Sequence, residues 1–175
     1  APDLVAALQA SQNAARVEVS DGRAYLAASS DGLLVVDVGD AAHPTLVASF
    51  DSVGYPYGVA AAGNHVYLAE GVYGLTVLDL TMASLPPPAD LQGEYVRDVW
   101  VSGPRAFMAD GSGYLFSGHL QVAEFTAPLS LDVVASASYA TRGVPQDIKV
   151  VGNYAYLADG EEGLQIFDVG NPAAP

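Results

Sequence analysis

Apolar residues along this chain recur at every second position in short runs. Arg16-Val17-Glu18-Val19, Asp98-Val99-Trp100-Val101 and Asp147-Ile148-Lys149-Val150 alternate polar and apolar, while Leu33-Leu34-Val35-Val36 and Leu75-Thr76-Val77-Leu78 are denser apolar runs that end in aspartate. A period of two places alternate side chains on one face of a strand. Turn pairs such as Asp21-Gly22, Gly63-Asn64, Gly103-Pro104 and Gly152-Asn153 separate the runs, so the pattern predicts strands joined by tight turns and excludes helical repeats. No apolar run approaches the roughly 18 residues of a membrane-spanning helix.

The strand pattern comes in four copies. Each has an aromatic-Leu/Met-Ala strand, a loop, a glycine and an apolar strand: Tyr25-Leu26-Ala27 with Gly32-Leu33, Tyr67-Leu68-Ala69 with Gly74-Leu75, Phe107-Met108-Ala109 with Gly113-Tyr114-Leu115-Phe116, and Tyr156-Leu157-Ala158 with Gly163-Leu164. The aromatic residues are spaced by 42, 40 and 49 positions. Such a period matches the four-stranded blade of a β-propeller, about 40–45 residues. The fourth strand of the first copy is Thr45–Phe50; the last copy stops at Pro175 without one, and Asp3-Leu4-Val5-Ala6-Ala7-Leu8 resembles the missing strand. The reading is an all-β, single-domain propeller spanning 1–175, with blade 1 at about 16–50, blade 2 at about 57–95, blade 3 at about 96–139 and blade 4 at about 145–175 plus 1–9. Pairing of the N-terminal strand with the last blade is expected to close it, because an open array leaves an unpaired edge. Closure within one chain is the simplest form; eight blades from two chains, or an excerpt of a longer ring, are the alternatives.

The runs Leu33-Leu34-Val35-Val36-Asp37, Leu75-Thr76-Val77-Leu78-Asp79 and Leu164-Gln165-Ile166-Phe167-Asp168 resemble the signature of the LVIVD-repeat proteins, as does Gly152-Asn153-Tyr154-Ala155-Tyr156-Leu157-Ala158-Asp159-Gly160. The resemblance covers almost the whole chain. It implies a β-propeller and a secreted or cell-surface bacterial or archaeal protein, and it brings no catalytic residues. The third copy departs from it, with Gly118 where Asp37, Asp79 and Asp168 stand and a longer segment at about Val122–Leu131. The strand-ending aspartates are expected to accept backbone N–H groups of the turns that follow.

Six Lys plus Arg against twenty Asp plus Glu give a net charge of −14, which repels phosphate backbones and anionic membranes and argues against nucleic-acid binding. With 51% hydrophobic and 15% charged residues the chain is too apolar for disorder. The absence of cysteine excludes disulfides, thiolate zinc sites and cysteine nucleophiles. A start at Ala1-Pro2-Asp3-Leu4 lacks a leader and reads as a mature or excised segment.

Three groups of residues are candidates for function. Glu70, Asp110 and Asp159 follow the recurrent alanine in the loops after the second strands and are candidates for Ca²⁺, with solvated loop acids as the simpler explanation. Asp98 and Asp147 stand at the start of inner strands with Arg16, where the blades converge on the axis; Arg97 and Arg142 lie near in sequence, and the set is a candidate ligand site or a mutual salt-bridge ring. Tyr55, Tyr57, Tyr73, Tyr95, Trp100, Tyr114 and Tyr139 fall at strand ends or in connections and suit protein or glycan contacts, whereas Tyr25, Tyr67 and Tyr156 recur with the repeat and suit packing between blades. His43, His65 and His119 share no repeat position, and no nucleophile elbow, P-loop or zinc-protease helix is present. The reading is a non-enzymatic, extracellular or surface module that binds a protein, a glycan or its own copies through loops, requires no cofactor and does not insert into membranes. The alternative is a hydrolase or lyase with a carboxylate site at the channel mouth, for which Ca²⁺ is the candidate cofactor.

Overall fold

In the computed structural model, residues 3–11, 13–81, 95–112, 117–125 and 133–171 are described. They form four antiparallel sheets. The first holds β1 (Arg16–Ser20), β2 (Arg23–Ala27), β3 (Leu33–Asp37) and β4 (Thr45–Phe50) in that order. β5 (Gly58–Ala62), β6 (His65–Ala69) and β7 (Leu75–Asp79) make the second, and β8 (Val96–Ser102), β9 (Arg105–Ser112), β10 (Ser117–Phe125) and β11 (Val133–Thr141) the third. The fourth contains β12 (Asp147–Val151), β13 (Tyr154–Ala158) and β14 (Leu164–Asp168). At the first hairpin Asp21 and Gly22 both have positive φ, 50° and 72°, the backbone that a two-residue turn matching strand twist demands.

The same register recurs in every blade. Tyr25 lies opposite Val35, Tyr67 opposite Val77, Phe107 opposite Val122 and Tyr156 opposite Ile166. In the first three blades this aromatic is buried between its own blade and the next, as the repeat-periodic placement predicts. Tyr25, Leu33 and Val35 pack on Val59, Val66 and Leu68; Tyr67, Leu75 and Val77 on Val96, Val99 and Met108; Phe107, Leu120 and Val122 on Ile148, Val150 and Leu157. The three apolar clusters thus fill the seams between successive blades, and burial of their large side chains supplies most of the drive to fold.

Two sequence expectations need correction. In the third blade Ala109 lies opposite Leu120 and Arg105 opposite Glu124, just as Ala27 faces Leu33 and Arg23 faces Asp37. The third strand is therefore built on Leu120-Gln121-Val122-Ala123-Glu124, and Glu124 rather than Gly118 takes the place of the recurrent acid, held by Arg105 Nε at 3.0 Å. From Ala109 to Leu120 is 11 positions against 6 from Ala27 to Leu33, so five extra residues enter the connection before the strand. Gly113–Phe116, including Tyr114, lie outside the described residues.

The second correction concerns closure. Residues 3–11 form no strand, and β14 is an edge of its sheet among the described residues. Behind residues 3–8, Ser11 Oγ donates to Asp31 at 2.8 Å and the Ala15 N–H donates to Ala27 O at 2.8 Å, both in blade 1. Across this last seam Arg16 reaches Gln146 O at 3.4 Å and Asp147 at 3.3 Å. The strand-ending aspartates do cap their turns: Asp37 accepts from Gly39 N–H at 2.9 Å, Asp79 from Thr81 N–H at 2.7 Å and Asp168 from Gly170 N–H at 3.0 Å.

Candidate functional site

Inner strands begin, and second strands end, on the same face of the ring. That face carries the segments entering each blade and the turns after the recurrent alanine. The acids there do not converge on an ion. Asp110 accepts the Tyr95 N–H at 2.6 Å and a bond from the Gln121 amide. Asp159 accepts the Thr141 hydroxyl at 2.9 Å and the Gly143 N–H at 3.1 Å. Glu70 accepts the Thr76 hydroxyl at 2.6 Å, and burial pushes its carboxyl above the ordinary value against that bond. Ser52 and the N–H groups of Val53 and Gly54 also point at Glu70 and draw its carboxyl down, although Oε1 has no partner at full hydrogen-bond geometry. All three side chains are buried, each latching the chain segment or strand beside it. Asp110 and Asp159 are taken up on both oxygens by donors of the segments and strand they latch, and the three acids sit on separate blades. Among the described residues no cluster of three or more His, Cys, Asp or Glu is placed to hold an ion.

The signal for this role was present in the sequence: Ser52-Val53-Gly54 and Thr141-Arg142-Gly143 both precede their blade as hydroxyl-x-Gly. The glycine admits the acid's own backbone, since a Cβ on Gly143 would lie 1.9 Å from Asp159 O and one on Gly54 3.0 Å from Glu70 O. In blade 1 Ala28 takes the acid's position, and among the described residues the entering segment is tied instead by Ser11 to Asp31.

Beside the latches of blades 2 and 3 lies a tyrosine cluster. Tyr57 and Tyr95 pack at a tilt of 46° with 5.4 Å between ring centroids and their hydroxyls 2.5 Å apart, and the Arg97 guanidinium sits 4.9 Å over Tyr95. Gly71 makes room for both rings, because a Cβ there would lie 3.1 Å from Tyr57 and 3.2 Å from Tyr95. Next to them Val53, Tyr55, Val72 and Tyr73 are all more than half exposed. Trp100 and Tyr139 lie elsewhere, against the cluster between blades 3 and 4.

On the axis, Arg16, Val59, Asp98 and Asp147 from the four inner strands line a small cavity with Trp100 and Lys149. Arg16 lies 3.7 Å from Asp98 and 3.3 Å from Asp147, and the Ile148 N–H donates to Asp98 at 3.0 Å. The structure thus brings together three of the five channel-mouth residues. Arg97 is occupied over Tyr95, and Arg142 lines a separate cleft with Gly143, Gly160, Glu161 and Glu162. Burial pushes the Asp98 carboxyl up to about 7, reinforced by Asp147 and opposed by the Ile148 N–H and Arg16. Asp147 moves below the ordinary range, through its bond with Asp98 and then the charge of Arg16. The two shifts run in opposite directions, so Asp98 keeps its proton to a higher pH than Asp147.

A carboxyl that grips its proton more tightly when folded stabilises the fold below its ordinary pKa and loses that contribution as pH rises through the folded value, here about 7. Asp98→Asn mimics the protonated acid, with an oxygen for the Ile148 N–H and an amide donor for Asp147. It is expected to raise the melting temperature at pH 8 by about 3–6 °C, for about 1–2 kcal/mol, and to flatten the decline between pH 4 and 8. A decline of unchanged slope in the variant, followed by circular dichroism, contradicts this assignment.

Four antiparallel blades around a shared axis with a loop-bearing face define a β-propeller. The LVIVD repeat profile matches residues 11–52, 53–86, 93–116 and 142–175, and the chain belongs to that family. The third match stops at residue 116, within the longer connection of blade 3. No curated protein sequence matches the chain. Among solved structures, the computationally designed Ika4 protein is similar over 97% of this chain and 99% of its own at 11% identity and a TM-score of 0.71. The computationally designed Ika8 protein is similar over 87% of this chain and 45% of its own, at 12% identity and a TM-score of 0.68. The β-propeller domain of Cps50 (Swd1) from Myceliophteria thermophila is similar over 90% of this chain and 52% of its own, at 11% identity and a TM-score of 0.64. The chain spans about half the length of these last two, and at such identities the likeness is one of fold.

Proposed function

We propose that the chain is a protein-binding module displayed outside the cell or on its surface, and that its partner docks on the tyrosine cluster of blades 2 and 3. The observation that carries this reading is the gathering of Val53, Tyr55, Val72 and Tyr73, all exposed, around the half-buried Tyr57, Tyr95 and Arg97. Tyrosine and arginine anchors within a patch of exposed apolar surface are the composition of an interface centre, and the latches beneath hold the loops in place before binding. The net charge of −14 favours a partner with a basic rim and adds to its rate of encounter. Tyr55→Ala and Tyr73→Ala are expected to weaken binding about 30-fold each, for about 2 kcal/mol, in titrations with a protein captured from the source's surface fraction. Retained affinity in both variants, or capture of a glycan alone, refutes the assignment.

The raised Asp98 carboxyl beside Asp147 in the axial cavity supports a second reading, a hydrolase or lyase with its acid at the channel mouth. Turnover of a defined substrate, lost in Asp98→Asn, would establish it in place of the first.

A further inference from the structure

Building on the protein-docking reading, we propose that the tyrosine face receives one acidic side chain, an Asp or Glu within an apolar, extended segment of the partner, and that Arg97 is the residue that binds it.

Arg97 is a cation left without an anion. Its Nε is buried and has no hydrogen-bond partner, and among the described residues no carboxylate forms an ion pair with the guanidinium. Arg16, by contrast, meets Asp98 and Asp147, and Arg105 meets Glu124. With twenty acids to six bases in the chain, carboxylates are not scarce. Those beside Arg97 are engaged elsewhere. Asp98, the next residue, lines the axial cavity and accepts the Ile148 N–H at 3.0 Å. Asp110 accepts the Tyr95 N–H and the Gln121 amide, and Glu70 accepts the Thr76 hydroxyl. The Tyr95 ring, 4.9 Å away, attracts the charge but leaves the planar fork of N–H donors to be paired. Arg97 is only partly buried, so the end of the side chain beyond Nε is open to an incoming group.

The surroundings set the chemistry of that group. A planar carboxylate takes two guanidinium N–H donors at once, and the bond strengthens where neighbouring apolar surface excludes water. That surface is present: the Tyr95 ring packs on Tyr57 over Gly71, and the exposed Val72 and Tyr73 follow in the same turn. The net charge of −14 repels a phosphorylated or polyanionic segment, whereas a single carboxylate flanked by apolar or basic residues is admitted.

Random linear peptides displayed on phage and selected on the parent chain supply the probe. Peptides held by the parent and lost on Tyr55→Ala mark the docking face, and they are expected to share one Asp or Glu among apolar residues. In synthetic copies, changing that acid to its amide is expected to weaken binding about 10-fold or more by fluorescence polarisation. Arg97→Met is expected to weaken the acidic peptide as much and to abolish the difference between acid and amide. The peptide comparison uses the parent chain, so it decides even should Arg97→Met fail to fold. Face-binding peptides that lack an acid, or that bind equally well as the amide, overturn the role of Arg97 and leave the docking face standing, as does an acid–amide difference that persists in Arg97→Met. Selected peptides that are all indifferent to Tyr55→Ala overturn the docking face, and the carboxylate contact with it.

Discussion

Alanine in place of Asp159 is expected to lower the melting temperature by about 6–12 °C. The carboxylate is fully buried and accepts the Thr141 hydroxyl and the Gly143 N–H, so truncation strands two donors inside the protein. Each stranded donor costs about 1–3 kcal/mol, less what is regained by removing a buried charge, for a net of about 3 kcal/mol. In a chain of this size each kcal/mol moves the midpoint by about 2–4 °C. Asp159→Asn keeps one acceptor oxygen and should fall about midway. Glu161→Ala, two residues on and exposed, should stay within about 0.5 kcal/mol of the parent. A loss of less than about 2 °C in Asp159→Ala, read by thermal circular dichroism, would mean that the latch does not hold the segment.

Gly118→Asp is expected to destabilise the chain by about 3 kcal/mol or more, with an opposite sign to the one the sequence pattern suggests. Read as a repeat, the third copy lacks its strand-ending acid at this position, and supplying it should strengthen a turn. In the fold, Gly118 lies near the start of β10 against the segment entering blade 4: a Cβ there would stand 2.0 Å from Pro145 Cδ and 3.0 Å from Asp110 O. A proline ring and a strand carbonyl have no rotamer by which to yield, so the blades must part. A melting temperature at or above that of the parent would restore the sequence register and remove the assignment of Glu124 as the blade's acid.

Legibility in this chain follows repetition. The first, second and fourth copies were readable because tyrosine, alanine, glycine and the terminal aspartate recur at one spacing, and the inter-blade role of Tyr25 and Tyr67 came from the same periodicity. The third copy misled because five residues enter before its third strand, and Gly113-Tyr114-Leu115-Phe116 offers a glycine and apolar residues where the strand is due. Only the cross-strand pairing of Arg105 with Glu124 settles the register. Glu70, Asp110 and Asp159 were visible as a recurrent acidic position, but an acid in a loop gives no hint of its partners, which lie 6 to 18 residues away in sequence. The tyrosine cluster was legible as composition; that four of seven rings gather on one face is a property of the ring.

The only tryptophan and the only lysine of the chain also meet within it. Lys149 Nζ lies 4.3 Å over the Trp100 ring, and both line the axial cavity. Fluorescence excited selectively at tryptophan therefore comes from the seam between blades 3 and 4. An amine-selective reagent that reaches the lysine would remove a charge from the face of that one fluorophore, giving the axis an optical signal of its own, separable from any event on the tyrosine face.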